Sequence, residues 1–281
     1  MQIGDLMYPI TMATALENGF TPDSKVPGTN DQPLYWPVGS TDDRNRLSYV
    51  DQNNIVHNWP PDSEDQASGA VGATVTLREA MERSINPAVA ALELDPKVTP
   101  QKVYDLAESV VLPAIGDIKA TPALTLGASS YSPLVMANAY ATFAASGFHH
   151  EPVMVTEVLD ASGKVIWQGG DQGTQAVAPV TASQMTDMLH SVLTTGTAST
   201  NPAAKALAAK TTGLAGKTST TDHDRSAWFG GYDGQLSTAV AVFRQAPSGA
   251  LESLQSPSGA RVSGNAAPTS VWAKFMELAA G

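Results

Sequence analysis

The sequence predicts an α+β protein in which a cluster of helices packs on a small antiparallel sheet. Three strand-like segments follow one another near residues 213–220, 226–232 and 236–244, and the third is rich in apolar and β-branched residues. Helix-start signals dominate the preceding part of the chain, and an amphipathic segment at about residues 269–278 follows the strands. Consecutive strands joined by short turns favour antiparallel pairing, with the helices packed on the sheet.

The first element is a short helix over residues 10–18. Pro9 suits its first turn, and Gly19 suits its C-terminal end. The following residues, 21–72, are rich in Pro, Asp, Asn, Ser and Gly and have little periodicity. We interpret them as a long, mostly irregular excursion over the surface, and a loop of that length inside a domain is usually functional.

A capping box begins the next helix. In Thr76-Leu-Arg-Glu79, Thr76 is the N-cap and Glu79 follows three residues later. The helix cannot continue smoothly through Pro87, because proline disfavours the helical conformation of the residue before it. The chain should therefore break at Ser84-Ile85-Asn86 and begin a new helix with Pro87 in its first turn.

The remaining elements follow from the same kinds of signal. They are a helix that begins at Thr99-Pro100, a helix from Ser132-Pro133 to Ala145 that is buried nearly all round, a hairpin of residues 153–159 and 164–168, a helix capped by Thr181 that reaches about Thr194, and a last helix that packs on the sheet through Val271, Trp272, Phe275 and Met276.

Composition places the chain among folded globular proteins and excludes several classes of function. Its 281 residues, 42% of them apolar and 15% charged, are enough to bury a core. A formal net charge of −11 without a basic run argues against nucleic-acid binding. The absence of cysteine excludes disulfides and thiolate metal sites, and His149-His150-Glu151 lacks the spacing of a metal motif. No metal and no cofactor is therefore predicted.

Membrane and export signals are also missing from the sequence. No apolar run approaches the roughly 18 residues that a spanning helix needs. The first residues, Met1-Gln-Ile-Gly-Asp5, have neither the basic nor the apolar region of a signal peptide. We therefore expect no membrane segment, and no signal or anchor, in this sequence.

Three separated motifs carry candidate chemistry. Ser84-Ile85-Asn86 lies at a break between two helices, Lys217-Thr218-Ser219 lies on a strand, and Asp224-Arg-Ser-Ala-Trp-Phe-Gly-Gly-Tyr232 opens the next strand. Together with residues 124–143 they resemble the transpeptidase domain of bifunctional (class A) penicillin-binding proteins, and the resemblance covers nearly the whole chain. It implies a penicillin-binding-protein and serine β-lactamase-like fold. It also implies a serine that attacks a D-alanyl-D-alanine stem peptide or a β-lactam.

The resemblance also implies roles by position. Ser84 corresponds to the proton-relay serine, Asn86 to the ligand of the substrate amide, and Lys217 with Thr218 to the pair that binds the substrate carboxylate. Ser219 and Thr220 continue this substrate-binding strand. Ser219 replaces the family's usual glycine and puts a side chain where the substrate backbone approaches, which is expected to narrow the groove.

The nucleophile segment departs from the family pattern. The usual Pro-Gly-Ser-x-x-Lys-Pro aligns with Ile3-Gly-Asp-Leu-Met-Tyr-Pro9, so that Asp5 stands at the nucleophile and Tyr8 at its lysine. The rest of the chain contains no Ser-x-x-Lys, and Thr99-Pro-Gln-Lys102, which has similar spacing, is interpreted as a helix cap. Asp5 itself is a poor candidate nucleophile, because its attack on an amide would give a mixed anhydride and no lysine stands at Tyr8 to assist.

Three hypotheses follow. The first, which we favour, is a transpeptidase-family domain of peptidoglycan synthesis that has lost acyl transfer and keeps a groove for a stem peptide or β-lactam bound non-covalently, or for a cell-wall protein partner. The resemblance places it at the extracytoplasmic face of a bacterial envelope. The second is an active D,D-transpeptidase or carboxypeptidase with an unrecognised nucleophile.

The third hypothesis is a truncated product of an active enzyme. The family places two strands ahead of the nucleophile helix, whereas only four residues precede Asp5 here. The sequence therefore predicts one domain over residues 1–281 that is truncated at its N-terminus. The edge of the strand at residues 236–244 should then be exposed, or covered by something else.

Overall fold

A computed structural model describes residues 1–51, 53–61, 71–110, 119–256 and 258–279. Its architecture is α+β, and this confirms the predicted fold class. A one-turn 3₁₀ helix, Gly4–Met7, leads directly into the first α-helix. The α-helices are α1 (Tyr8–Glu17), α2 (Leu77–Arg83), α3 (Asn86–Glu93), α4 (Pro100–Val110), α5 (Pro133–Ala144), α6 (Pro179–Thr194), α7 (Pro202–Ala208) and α8 (Ala267–Ala279).

The central feature is a four-stranded antiparallel sheet with the strand order β12-β11-β10-β9. The predicted segments correspond to β9, β10 and β11, which confirms all three strands. Shorter strands pair two by two outside this sheet. The strands are β1 (Lys25–Pro27), β2 (Ser48–Val50), β3 (Val56–Asn58), β4 (Thr74–Thr76), β5 (Phe148–His149), β6 (Glu157–Leu159), β7 (Val165–Gln168), β8 (Thr174–Gln175), β9 (Ala215–Thr220), β10 (Ser226–Tyr232), β11 (Ser237–Gln245) and β12 (Leu251–Glu252).

Helices cover both faces of this sheet. On one face, the ring of Tyr140 in α5 packs over Gly230, and its hydroxyl donates to the backbone oxygen of Leu6. On the other face, α8 places Trp272 against Gly231 and against Phe229, whose ring centroid lies 4.5 Å away. A side chain at Gly231 would collide with Trp272, so glycine here lets the helix approach the sheet closely. All seven residues of β10 are buried as a result.

The predicted break between α2 and α3 is confirmed. Thr76 caps α2 by accepting a hydrogen bond from the Glu79 backbone N–H, as the capping box requires. Ser84 ends the helix in the left-handed conformation (φ 57°), Ile85 is extended, and Pro87 lies in the first turn of α3.

Three details of the predicted helices were wrong, and one helix was not predicted. Helix α6 begins at Pro179, so that Thr181 lies within its first turn and is not the N-cap. Helix α5 is not buried all round, since Leu134 is 63% exposed. In α8, Trp272 and Met276 face the sheet, but Val271 and Phe275 are about half exposed. Helix α7, which Asn201 caps with its side chain, was not predicted.

The excursion over residues 21–72 is only partly irregular, because it contains β1 and the hairpin formed by β2 and β3. Residues 52 and 62–70 of this segment lie outside the described residues. The predicted hairpin around residues 160–163 is confirmed as β6 and β7.

The outer edge of β11 is largely unpaired within the described residues. Its residues 237–243 pair with β10 on one side, whereas β12 covers the other side only at Arg244 and Gln245. This agrees with the expectation that the edge is exposed.

Candidate active site

The segment that carries Asp5 and Tyr8 is fixed by a tight turn. Gly4 has a positive φ of 54°, and a Cβ atom at this position would lie 2.4 Å from the Ser219 hydroxyl. Only glycine fits there without displacement. Asp5 lies in the 3₁₀ turn that follows, and Tyr8, three residues later in the sequence, comes directly after it. Both residues are buried.

The break between α2 and α3 brings two further predicted residues to the same place. The left-handed conformation of Ser84 turns the chain, so that the Ser84 side chain is fully buried and points inward. Asn86 is the first residue of α3. The hydroxyl of Tyr8 donates a hydrogen bond to Oδ1 of Asn86, and Nδ2 of Asn86 donates to the backbone oxygen of Pro61 at 3.0 Å.

Lys217 connects the two halves of the site from β9. Its side chain is fully buried, and its Nζ donates to the Ser84 hydroxyl and to the Thr218 backbone oxygen at 2.9 Å. The Asp5 carboxylate lies 3.7 Å from the same Nζ, and the ring centroid of Tyr8 lies 5.5 Å away. The structure thus brings together the five predicted residues Asp5, Tyr8, Ser84, Asn86 and Lys217.

Lys217 does not reach the open surface. From the sequence, Lys217 was expected to offer positive charge to a ligand carboxylate. In the structure its charge faces the carboxylate of Asp5, whose own side chain is only 9% exposed. Removing two charges from water is costly, and the pair is tolerable because Ser84 and Thr218 supply further hydrogen bonds.

Ser219 is turned into the protein rather than into the groove. Its hydroxyl donates to the backbone oxygen of Ile3 at 2.8 Å and accepts from the backbone N–H of Asp5 at 2.9 Å. Thr218 is also buried and shares a 2.6 Å hydrogen bond with Thr197. Of the three predicted substrate-binding residues, Thr218, Ser219 and Thr220, only Thr220 borders open space.

That open space is a cleft of about 660 Å³ beside Asp5 and Asn86. Residues 123–128 form one of its borders, and Thr220 to His223 form another. The third border comes from the excursion, through Tyr49, Val50, Asp51, Trp59 and Pro61. The excursion is therefore part of the candidate site.

The charges that line the cleft are negative. Asp5, Asp51 and Asp222 border it, and no lysine or arginine does so among the described residues. A backbone hydrogen bond from Ile55, with a smaller contribution from His57 at 3.1 Å, holds the pKa of Asp51 below its usual range. Asp51 therefore keeps its negative charge throughout the neutral range.

Sequence reasoning missed the aromatic border of the cleft. Neither Trp59 nor Tyr49 was singled out from the sequence as a site residue, although both border the cleft and the ring of Tyr49 stacks on His57 with centroids 5.2 Å apart. The only available signal was the length of the excursion. Which side chains of an irregular segment face a site depends on contacts that its composition does not encode.

Other candidates from the sequence lie elsewhere. Lys102, three residues after Thr99, bonds Asn18 and the backbone oxygen of Lys97 on the surface. His149 contacts Thr142, and His150 contacts Asp171. A second groove, of about 680 Å³, lies among α5, α6 and α7 and contains none of the predicted site residues.

In the buried network the hydroxyl of Ser84 contacts the amine of Lys217. A general base must accept the proton of its nucleophile, whereas the amine of Lys217 also faces the carboxylate of Asp5 at 3.7 Å. Both side chains are closed off from the cleft. The arrangement as it stands is suited to holding the two helices and the strand together.

Comparisons with known proteins agree with the resemblance found in the sequence. The family model described as the penicillin binding protein transpeptidase domain matches residues 7–264. Penicillin-binding protein 1A of Aquifex aeolicus (strain VF5) is 26% identical over 277 residues, which cover 99% of this chain and 33% of that protein. Penicillin-binding protein 1F of Bacillus subtilis (strain 168) is 34% identical over 172 residues, which cover 59% of this chain and 23% of that protein.

A solved structure gives the same fold. The PonA1 protein from Mycobacterium tuberculosis, in complex with penicillin V, superposes with a TM-score of 0.74 at 25% sequence identity. The match covers 99% of this chain and 69% of that chain. This chain spans about a third of the length of the Aquifex relative and about a quarter of that of the Bacillus relative. Among the described residues, no helix is both long enough and apolar enough to cross a membrane.

Proposed function

The chain belongs to the penicillin-binding protein transpeptidase domain family, and from that premise we propose that it is a member that has lost acyl transfer and has kept the cleft as a peptide-binding groove. In this proposal the groove binds a peptide of the stem-peptide type without forming a covalent bond. The domain would act at the extracytoplasmic face of a bacterial envelope, on peptidoglycan or on a cell-wall protein partner.

The observation that carries the proposal is the ion pair between Asp5 and Lys217. At the position that the resemblance assigns to the nucleophile, the chain has a carboxylate that lies 3.7 Å from the buried amine. At the position assigned to the catalytic lysine, it has Tyr8, which donates to Asn86. Acyl transfer needs a nucleophile with an adjacent base, and these two positions supply neither.

Ser219 supports the same proposal independently. Enzymes that transfer acyl groups stabilise the developing oxyanion with backbone N–H groups, often including that of the nucleophile itself. The corresponding N–H here, that of Asp5, is already bonded to the Ser219 hydroxyl. A carbonyl oxygen entering the cleft would have to compete with this internal hydrogen bond.

An active enzyme with Ser84 as the nucleophile is the second candidate. The contact between Ser84 and Lys217 favours it, because serine and lysine form the catalytic pair in some hydrolases. The burial of Ser84 and the ion pair of Lys217 with Asp5 oppose it. The two candidates differ in a single measurable outcome, a covalent adduct.

The experiment is incubation of the purified chain with a fluorescent penicillin, followed by intact-mass measurement. We expect no mass increase from the folded protein. The mycobacterial relative solved with penicillin V, treated in parallel, verifies the reagent. A one-to-one adduct would refute the loss of acyl transfer, and loss of that adduct in Ser84→Ala would identify Ser84 as the nucleophile.

A further inference from the structure

We propose that Asp5 determines the ligand specificity of the cleft. Its carboxylate takes the place beside Lys217 that a ligand carboxylate would take, so the cleft accepts an uncharged peptide end or an internal peptide segment and excludes a free carboxylate. This inference rests on the proposed function, because it names the ligand class of the same groove.

The cleft offers little positive charge to a ligand carboxylate. Lys217 is fully buried, and Ser84, the Thr218 backbone oxygen and Asp5 surround its amine. The described lining of the cleft contains neither lysine nor arginine, and His223 is its only basic side chain. A ligand carboxylate would therefore meet no exposed lysine or arginine in this lining.

The carboxylate of Asp5 also repels a ligand carboxylate. A carboxylate that approached Lys217 from the cleft would meet Asp5, which itself borders the open space. Two carboxylates that share one site disfavour each other strongly unless one of them takes up a proton. Asp51 and Asp222 border the same cleft and add charge of the same sign.

The cleft offers aromatic surface and hydrogen-bonding groups to a neutral ligand. Trp59 and Tyr49 supply aromatic surface, and Thr220 and Thr221 bring hydroxyl groups to the opposite border. The amide of Asn86 also reaches the lining. These groups bind peptide amides and apolar side chains without requiring a charge.

The test uses two probes that differ only in charge, acetyl-D-alanyl-D-alanine and its C-terminal amide. Binding to the wild-type chain is followed by tryptophan fluorescence, since Trp59 borders the cleft, and by calorimetry at neutral pH. We expect the amide to bind at least tenfold more tightly than the acid. In Asp5→Asn this preference should largely disappear, because the carboxylate that repels the acid at the border of the cleft is then gone.

The matched control is Asp222→Asn. It makes the same change of charge in the lining of the same cleft, but Asp222 is exposed and takes no part in the pair with Lys217. It should leave the preference for the amide within about threefold of the wild-type value. A change as large as that of Asp5→Asn would show that bulk charge sets the preference and would overturn the proposal.

The remaining outcomes separate this inference from the function on which it rests. If the wild-type chain binds both probes equally well, the specificity role of Asp5 is wrong and the groove itself stands. If neither probe binds the wild-type chain at millimolar concentration, the groove is refuted and the inference with it. The wild-type comparison needs no variant, so equal binding of the two probes would refute the inference even if Asp5→Asn does not fold.

Discussion

The buried pair of Asp5 and Lys217 predicts a strong energetic coupling that a double-mutant cycle measures. The variants are Asp5→Asn, Lys217→Met and the two combined. Each single change leaves one charge without its partner in a place that water scarcely reaches, since the two side chains are 9% and 0% exposed. Losing one member of a buried pair typically costs about 3–5 kcal/mol.

The structure sets the magnitude within this range. In Asp5→Asn the amine of Lys217 keeps two oxygen partners but cannot reach solvent, so we expect a loss of about 3–4 kcal/mol in the free energy of unfolding. In Lys217→Met the carboxylate of Asp5 loses its cation, but it lies at the border of the cleft, where water can partly solvate it. We therefore expect a loss of about 3 kcal/mol in the free energy of unfolding. The double variant removes both charges of the pair. Its loss in the free energy of unfolding should therefore be smaller than the sum of the two single losses by at least about 2 kcal/mol.

The assay is urea unfolding at pH 7, followed by tryptophan fluorescence, with the slope of each transition compared between variants. Equal slopes make the midpoints directly comparable. If the effects of the two single changes add to within about 0.5 kcal/mol, the two side chains are not coupled and the reasoning about the ion pair fails.

Three further changes test other parts of the fold. Burial raises the pKa of Glu93 well above its usual value near 4.5, although the Thr125 backbone N–H partly opposes the shift. This group therefore stabilises the fold most below pH 4.5, and its contribution is lost as the pH rises, by up to about 1.4 kcal/mol per unit. Glu93→Gln removes that loss, so the difference between its urea midpoint and that of the wild type should grow in favour of the variant as the pH rises above about 5. Thr76→Ala removes the cap of α2 and should lower stability by about 1 kcal/mol in urea unfolding. Gly127→Ala places a Cβ atom 2.1 Å from the Gly4 backbone oxygen at a φ of 65°, and should lower stability by about 2–4 kcal/mol in thermal unfolding.

Each of these changes has a matched control. Glu157 is exposed on β6, so Glu157→Gln should show no comparable dependence on pH, and a parallel response of both glutamine variants would contradict the assignment to burial. Thr76→Ser keeps the capping oxygen and should stay near the wild-type stability. Gly234 has open space around it, so Gly234→Ala should be close to neutral. An equally mild Gly127→Ala would mean that the contact with Gly4 is not tight.

The sequence predicted those features that short-range chemistry determines. The break at Ser84 follows from Pro87 three residues later, and the start of α2 follows from Thr76 and Glu79. The three strands follow from local alternation and composition. Helix α7 has a comparable signal in the sequence Asn201-Pro202, since the Asn201 side chain accepts hydrogen bonds from the first turn, but this helix was not predicted.

The state of the site was harder to predict, because it depends on partners far apart in the chain. The amine of Lys217 meets a carboxylate 212 residues earlier, and the Ser219 hydroxyl bonds the backbone of residue 3. A motif predicts which residues lie near one another at a site, but it does not predict whether their side chains face the cleft or contact one another. The motifs therefore predicted that Asp5, Ser84 and Lys217 lie together, but the expected access of a ligand to Lys217 was wrong, because its side chain is fully buried.

The open edge of β11 bears on how the isolated chain behaves at high concentration. From Ser237 to Phe243 the strand has neither a charge nor a proline, the two features that usually keep edges from joining, and β12 blocks only the end at Arg244. During refolding, strand addition between molecules is second order in protein, whereas closure of the core is first order. Dilution should therefore improve the recovery of native chain more than a change of temperature does.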